Sequence, residues 1–524
     1  MKKQISLYLL LFSALGSHAQ SNCMDILQLG KIALQQGKTE LALEKLQDTE
    51  TCDYNNELLK ERQFLQKSIF NIVTEQRINA EKNAELAKKA TAESEKNLAK
   101  ANKLIDAFYF YADRFALAFG EKNNSNLYYF IDKNGNEIFK LGRWGKAEQF
   151  DYTGFARVTD KGKNYLLDTL GNKYQVAYNL AELNEEITAL DFREVQLDSF
   201  PRIILQYPQI EVILFDGGGK FNKNTLQIPK QINKLPALKT ISVQFCDIKN
   251  LPAEFGQLQN LITLDLSGNS LSSLPSNIGE LRRLTALNLS QNKLDSLSAE
   301  LGQLQNLVSL SVSQNNLIEV SSIIGQLRNL TSLSLISNKL EGLPPEIGQL
   351  QNLTKLSLSS NKLKGLPPEI GQLQNLIELS LISNKLEGLP PEIGQLQNLT
   401  ELSLISNKLE GLPPEIGQLQ NLTKLSLSSN KLKGLPPEIG QLQNLTKLSL
   451  SSNKLEGLPP EIGQLRNLTS LSLNFNELES LPREIGYLSN LKVLELGHNP
   501  MTTIPSEIGQ LHNLTYLYIP FHNL

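Results

Sequence analysis

LPPEIGQLQNLTKLSLSSNKLKG, residues 343–365, returns letter for letter at residues 412–434, and the copies between and after these two differ at only a few positions. The shared letters define a 23-residue template, L-x-x-L-x-L-x-x-N-x-L-x-x-L-P-x-x-I-G-x-L-x-x, which accounts for nearly everything from Ile187 onward. Leucines at positions 4 and 6 sit two apart, the spacing of one face of a strand. A unit this short cannot bury its own apolar face, so copies must stack, each Leu and Ile lying against the same letter in the next unit. Each such burial is worth roughly 1.5–3 kcal/mol. Proline at position 15 starts a short helix on the far side, with Glu346 and its equivalents in its first turn, where the helix dipole favours an acid. Glycine at position 19, such as Gly348, permits close packing.

Position 9 reads Cys246, Asn269, Asn292, Asn315, Asn338, Asn361, Asn384, Asn407, Asn430, Asn453, Asn476, Asn499 and finally His522. Where the chain leaves a strand and turns inward, backbone groups lack a sheet partner, and an amide side chain can both donate to them and accept from them. Cysteine is a small weak donor that can stand in. These letters resemble the leucine-rich repeat family, in particular the 23-residue LPxxIGxL class of Ras-group, Shoc2-like repeats. The resemblance implies an α/β fold: a right-handed solenoid, a horseshoe with a parallel β-sheet on its concave face. It also implies a protein-binding role; other chains with this repeat class carry kinase, GTPase or ubiquitin-ligase domains, and the expectation of no catalysis here rests on the absence of phosphate-loop and kinase motifs from the sequence. The early units are ragged, with five extra residues around Asp216 to Asn224 before Ile228 and Pro229 restore register.

Template positions 3, 5, 7 and 8 are expected to line the concave sheet. Position 5 is serine in eight consecutive repeats, Ser357 among them. Position 3 runs Lys355, Glu378, Glu401, Lys424, Lys447, and position 7 changes with it through Ser359, Ile382, Ile405, Ser428 and Ser451. Such uniformity excludes a ready-made catalytic cluster. It leaves two readings open: duplication that copied exposed letters, or a repetitive partner such as a polysaccharide. Five repeats would span about 24 Å at the spacing of adjacent strands. The pattern breaks at Asn474, Phe475, Glu495, His498, Tyr516 and Tyr518, and at Phe245 near the other end. Aromatic anchors there are candidates for the main binding residues. Asn-Leu-Thr recurs seven times, for example at Asn352 and Asn398, as glycosylation acceptors in a eukaryotic secretory pathway or as by-products of duplication in a bacterium.

Four regions precede the array. Residues 1–19, with Lys2, Lys3, an apolar run from Ile5 to Leu15 and Ser17-His18-Ala19, read as a signal peptide, which places the chain in a secreted, periplasmic or cell-surface compartment; a non-functional signal would leave it cytoplasmic. Residues 20–56 read as a helical hairpin turning near Gly37, similar to a single tetratricopeptide-type unit. Residues 57–108 form a long polar helix with a small-residue heptad seam, a weak coiled coil through which copies could associate, or else a solvated helix. Residues 109–180 turn to short aromatic strands. There Phe130-Ile-Asp-Lys-Asn-Gly-Asn136 and Leu166-Leu-Asp-Thr-Leu-Gly-Asn172 are one phrase written twice around Trp144-Gly145, which resembles the WG-repeat family of bacterial interaction modules. The array itself is assigned to residues 181–524.

A net charge of -3 and a pI near 6.0 give no basic face for nucleic acid or anionic membrane. No later segment is long and apolar enough for membrane insertion. Cys23 and Cys52 could bridge two helices, but four scattered histidines and no Cys-x-x-Cys offer no metal site, and no cofactor is expected. Gly217-Gly-Gly-Lys220 lacks phosphate-loop spacing, and no kinase motif set is present. The expected activity is therefore protein binding by the concave sheet. Adhesion to carbohydrate or cell surface along the Ser/Lys/Glu face, and an envelope scaffold or signalling adaptor, are the alternatives.

Overall fold

The computed structural model describes residues 19–38, 41–42, 45, 64–69, 71–72, 115–122, 125–151, 153–195, 197, 199–218 and 226–519. Two compact units divide the chain, Met1–Val176 and Ala177–Leu524. Residues 1–18 of the expected signal peptide, nearly all of the expected long helix, a Cys23–Cys52 bridge, the insertion at 219–225 and His522 lie outside the described residues.

In the first unit, α1 (Ala19–Gln35) ends where Gly37 adopts φ +71° and the Lys38 N–H donates to the Ala33 carbonyl at 2.9 Å. Only glycine enters that left-handed conformation without steric cost, and the reversal closes the helix end. Leu27, Ala33, Ala42, Leu65 and Ile69 are buried. Gly30 lets the Leu65 side chain come within 2.5 Å of where a Cβ would stand. A small β module follows. Strand β1 (Ala116–Lys122) runs antiparallel to β2 (Ser125–Ile131), which pairs with β3 (Arg143–Trp144). Strands β4 (Lys146–Ala147), β5 (Phe155–Asp160), β6 (Lys163–Asp168) and β7 (Lys173–Ala177) form an antiparallel meander.

The twice-written phrase folds twice into the same turn. Asp132 Oδ1 accepts from the N–H groups of Asn134 and Asn136, and Asp168 Oδ1 accepts likewise from Leu170 and Asn172. Gly135 and Gly171 take positive φ in both copies. Trp144 is buried with Phe130, Leu141 and Phe150, and its indole N–H donates to the Leu141 carbonyl at 2.7 Å. An aromatic body in the core with a satisfied polar tip makes it an anchor of this module.

The second unit contains fifteen strands among the described residues, β8 (Ala189–Asp191) through β22 (Tyr516–Tyr518), each paired in parallel with the next in register. Most are three residues long, such as Lys355–Ser357, covering positions 3 to 5. On the return side every repeat makes one short 3-10 turn, for example Pro345–Gln349, with Pro344 as its N-cap and Pro345 at its first position. Five residues cannot close more than one such turn. One continuous core of leucines, almost all fully buried, runs through the array.

The position-9 amides bridge three backbone segments. Asn361 Nδ2 donates to the carbonyls of Leu335 at 2.9 Å and Leu358 at 3.0 Å, while its Oδ1 accepts from the Leu340 N–H at 3.1 Å. At Cys246 the thiol donates to the Gln244 carbonyl at 2.9 Å, and the residue's own carbonyl takes over as acceptor, from the Leu226 N–H.

The single-face expectation for positions 3, 5, 7 and 8 needs refinement. Positions 7 and 8 are adjacent, and simple alternation cannot place both on one face. The strand has already ended, and position 8 takes positive φ in every repeat from Phe245 to His498, near +57° at Ser360 and Phe475. That left-handed step turns the chain toward position 9. Gly268 occupies one such place; at non-glycine places such as Ser337, Ser360 and Phe475 the strained residue donates its N–H to a carbonyl of the next repeat, which helps hold the conformation.

Candidate functional site

The sheet face of the array is built from rows of equivalent side chains, one per strand. In the middle of the position-3 row, parallel register sets Lys355 beside Glu378, Glu378 beside Glu401, Glu401 beside Lys424, and Lys424 beside Lys447. Lys355 Nζ lies 2.5 Å from Glu378 and Lys424 Nζ 2.5 Å from Glu401. The alternating subtypes thus neutralise each other across strands. Such half-exposed pairs stabilise little, at most about 1 kcal/mol each, but they remove four charges from any partner's reach. Among the described residues Lys447 has no carboxylate partner.

Serine rows are also connected. The position-7 hydroxyl of one repeat meets the position-5 hydroxyl of the next: Ser290 with Ser311 at 2.7 Å, Ser313 with Ser334 at 2.7 Å, Ser359 with Ser380 at 2.8 Å, and Ser451 with Ser472 at 2.7 Å. Ser357 and Ser403 follow repeats whose position 7 is isoleucine, which offers no such partner.

A second ladder runs along the strand entry, where sequence reasoning saw only Asn-Leu-Thr tripeptides. Asn352 Nδ2 donates to the Arg328 carbonyl at 2.9 Å, and Asn398 to that of Gln374 at 2.8 Å. The Thr354 hydroxyl donates to the Thr331 carbonyl at 3.0 Å. Both polar letters therefore tie one repeat to the one before it, and duplication is not the sole reason for their recurrence. Between them lies an open groove of about 1390 Å³, lined by alternating Asn and Thr with Val308 and Ile377. The signal was the fixed spacing of both letters from the leucine between them.

At the N-terminal end the row letters depart from serine, a departure sequence reasoning did not use. Asp191 and Arg193 form a buried two-bond fork, with both contacts at 2.7 Å. Asp265 accepts from Asn288 at 2.9 Å, Gln244 at 3.2 Å and the Ser267 N–H at 2.9 Å. Burial raises its carboxyl pKa, against the lowering pull of the Ser267 and Asn288 hydrogen bonds. Phe245 lies over Gly268, where any Cβ would stand 2.3 Å from its ring.

At the C-terminal end the structure brings the aromatic letters together. Phe475 and His498, at position 8 of successive repeats, stack with ring centroids 4.1 Å apart and planes 6° from parallel. Phe475 is 54% exposed, Tyr516 51% and Tyr518 43%. Tyr518 pairs in register with Glu495, and Tyr516 with Val493. Glu378 and Lys355 lie four to seven strands from this cluster, and Glu401, Lys424 and Lys447 fill the strands between, Lys447 pairing with Ser470 on the strand that leads to Phe475, so the expected binding residues run along consecutive strands of one sheet.

Among the described residues no three His, Cys, Asp or Glu side chains converge as metal ligands, and no helix is long and apolar enough to cross a membrane.

With the geometry in view, the comparisons with known proteins agree on the class. Profiles described as leucine-rich repeat region match residues 212–333 and 314–433, and a leucine rich repeat profile matches 420–464 and 466–524. A leucine-rich repeat protein of Leptospira interrogans is 37% identical with a TM-score of 0.53, over 65% of this chain and 99% of that one. A TDR receptor is 26% identical, TM-score 0.50, over 66% and 71%. Toll in the Drosophila Toll–Spatzle complex, at 20% identity and TM-score 0.55 over 77% and 58%, shares the fold alone. No curated protein matches in sequence. The chain belongs to the leucine-rich repeat family.

Proposed function

We propose that the chain is an exported, non-catalytic binding protein that recognises a protein partner with its concave sheet. The C-terminal cluster of Phe475, His498, Tyr516 and Tyr518 supplies most of the binding energy in this reading. The observation that carries it is the exposure of those rings: four of the five mid-sheet position-3 charges are paired and many serines bond one another, whereas the aromatics present apolar area to solvent. Leucine-rich repeat scaffolds usually serve protein interaction, and one similar structure is a receptor by name. Export rests on the signal-like residues 1–19, and N-terminal sequencing of the protein recovered outside the cytoplasm should begin at Gln20.

The WG-like β module and the helices before it fit a supporting role: spacing the array from an anchoring surface or, through residues 57–108, joining copies. Deletion of 57–108 should then abolish self-association in sedimentation. For recognition itself, the full chain is presented with envelope proteins and with cell-surface polysaccharides, beside a Phe475/Tyr516/Tyr518→Ala variant. Protein capture should fall at least about thirtyfold in the variant, the effect of losing 2 kcal/mol of anchor energy. Glycan capture that ignores the variant would instead place binding along the duplicated Ser/Lys/Glu face.

A further inference from the structure

The C-terminal patch carries one charged group that differs in its surroundings from every other acid in the rows. Glu495 stands at position 5, where the eight preceding repeats place serine, and its cross-strand neighbours are Ser472 on one side and Tyr518 on the other. The Ser472 hydroxyl and Asn474 Nδ2, the latter at 3.0 Å, both donate to its Oε2. Asn474 is itself held, its Oδ1 accepting from the Gly497 N–H at 2.7 Å. The carboxylate is thus fixed in orientation through one oxygen, and no described residue donates to the other. Glu378 and Glu401 each have a lysine on the adjacent strand. Among the described residues Glu495 has no cation within ion-pair distance.

Aromatic rings share this end of the sheet with the carboxylate, Tyr518 in register on the next strand and Phe475 and His498 at position 8 of successive repeats. The Tyr518 ring lies over Gly497, so close that a Cβ at 497 would stand 2.0 Å from its Cε1; glycine is what admits the ring there. At the strand ends beyond, Phe475 and His498 form their parallel stack. Aromatic faces carry negative potential and attract cations, and the effect grows as water is excluded. Together, a fixed carboxylate with one free oxygen and ring faces at the same end of the sheet complement a side chain that has an apolar stem and a cationic head. A neutral sugar could stack on the rings but would leave the acid without a counter-charge.

We propose that this end of the concave sheet is the docking site for a basic side chain, an arginine or lysine of a partner polypeptide, which pairs with Glu495 between Tyr518 and the Phe475–His498 stack. The proposal rests on the protein-binding reading above and adds the chemistry of the partner.

The test uses the full chain to select from a random dodecapeptide display library. Retained peptides are resynthesised with arginine replaced by citrulline and lysine by norleucine, and binding is measured by calorimetry to the parent protein, Glu495→Gln and Phe475/Tyr516/Tyr518→Ala. Glutamine keeps an oxygen for Ser472 and Asn474, and a thermal melt checks that the array is intact. The expected result is enrichment of Arg and Lys and a loss of tenfold or more both in Glu495→Gln and on neutralising the peptide. Peptides that bind Glu495→Gln and the parent equally, yet lose affinity in the aromatic variant, overturn the cationic partner and leave the concave-sheet reading standing. Peptides indifferent to both variants overturn the two together, and a selection that retains no basic peptide above a scrambled control also overturns the proposal.

Discussion

Asn315 and Asn316 are neighbours with one side-chain chemistry and opposite duties. Asn315 donates to the carbonyls of Leu289 and Val312 and accepts from the Leu294 N–H, all in the buried turn. Asn316 accepts only from exposed Lys339. Asn315→Ala leaves several buried backbone groups unpaired and should cost about 2–3 kcal/mol, whereas Asn316→Ala should stay within about 0.5 kcal/mol, as read by urea unfolding. Cys246, on an equivalent rung, makes a prediction about pH. Burial pushes its thiol up to about 12, with the Asp216 charge adding to the rise and a hydrogen bond from the Gly217 backbone opposing it. An unfolded thiol ionises near about 8.5. The folded state therefore keeps a proton that the unfolded state gives up, so this contribution is whole below about pH 8.5 and is lost as pH climbs toward 12. Parent minus Cys246→Ala stability should fall by up to about 1.4 kcal/mol per pH unit above 9, and a difference flat from pH 7.5 to 10.5 would show that the buried thiol ionises as freely as an exposed one.

Within a repeat, two glycines differ by what surrounds them. Gly348, on the 3-10 turn, faces the next repeat: an added Cβ would stand 2.7 Å from the Glu369 carbonyl oxygen, a backbone atom that can yield only if the repeats separate. Gly365, before the next leucine-proline, has nothing within 4 Å, and its φ is not positive. Gly348→Ala should destabilise by about 1–3 kcal/mol through overpacking. Gly365→Ala should be neutral or stabilise by up to about 1 kcal/mol by restricting the unfolded chain. Equal unfolding midpoints for the two variants would contradict the packing account. The same closeness explains the short strands: three residues suffice because the turn, the amide rungs and the entry ladder each add bonds between repeats.

For the array as a whole, contacts run almost entirely between neighbouring repeats, so its stability approaches a sum of repeat and interface terms. Deleting residues 366–388 removes one full period, joins Gly365 to Leu389 in register and sets Lys355 beside Glu401 in place of Glu378. The shortened chain should unfold cooperatively with an unchanged circular dichroism band shape and a modestly lower midpoint. Deleting only 366–376 breaks the period, moves leucines out of the core and should collapse the transition. Similar melts for the two deletions would mean the repeats do not depend on register.

Periodicity alone determined the stacking fold, because in a translational repeat each letter meets its own copy and an apolar letter meeting itself 23 residues away must be core. That is why the leucines, the position-9 rung, the proline start of the return turn and the tight glycine were legible in residues 343–365. Tertiary structure decided what depends on offsets other than the period. Ser359 bonds Ser380, 21 residues on, and Asn352 bonds a carbonyl 24 residues back. The positive φ at position 8 is a backbone state that serine does not announce. Lys355 and Glu378 looked like ligand groups in the sequence and are each other's partners in space. Glu495 looked like one letter among several breaks, and only the strand order shows that its neighbours are a serine and a tyrosine, where Glu378 and Glu401 each have a lysine.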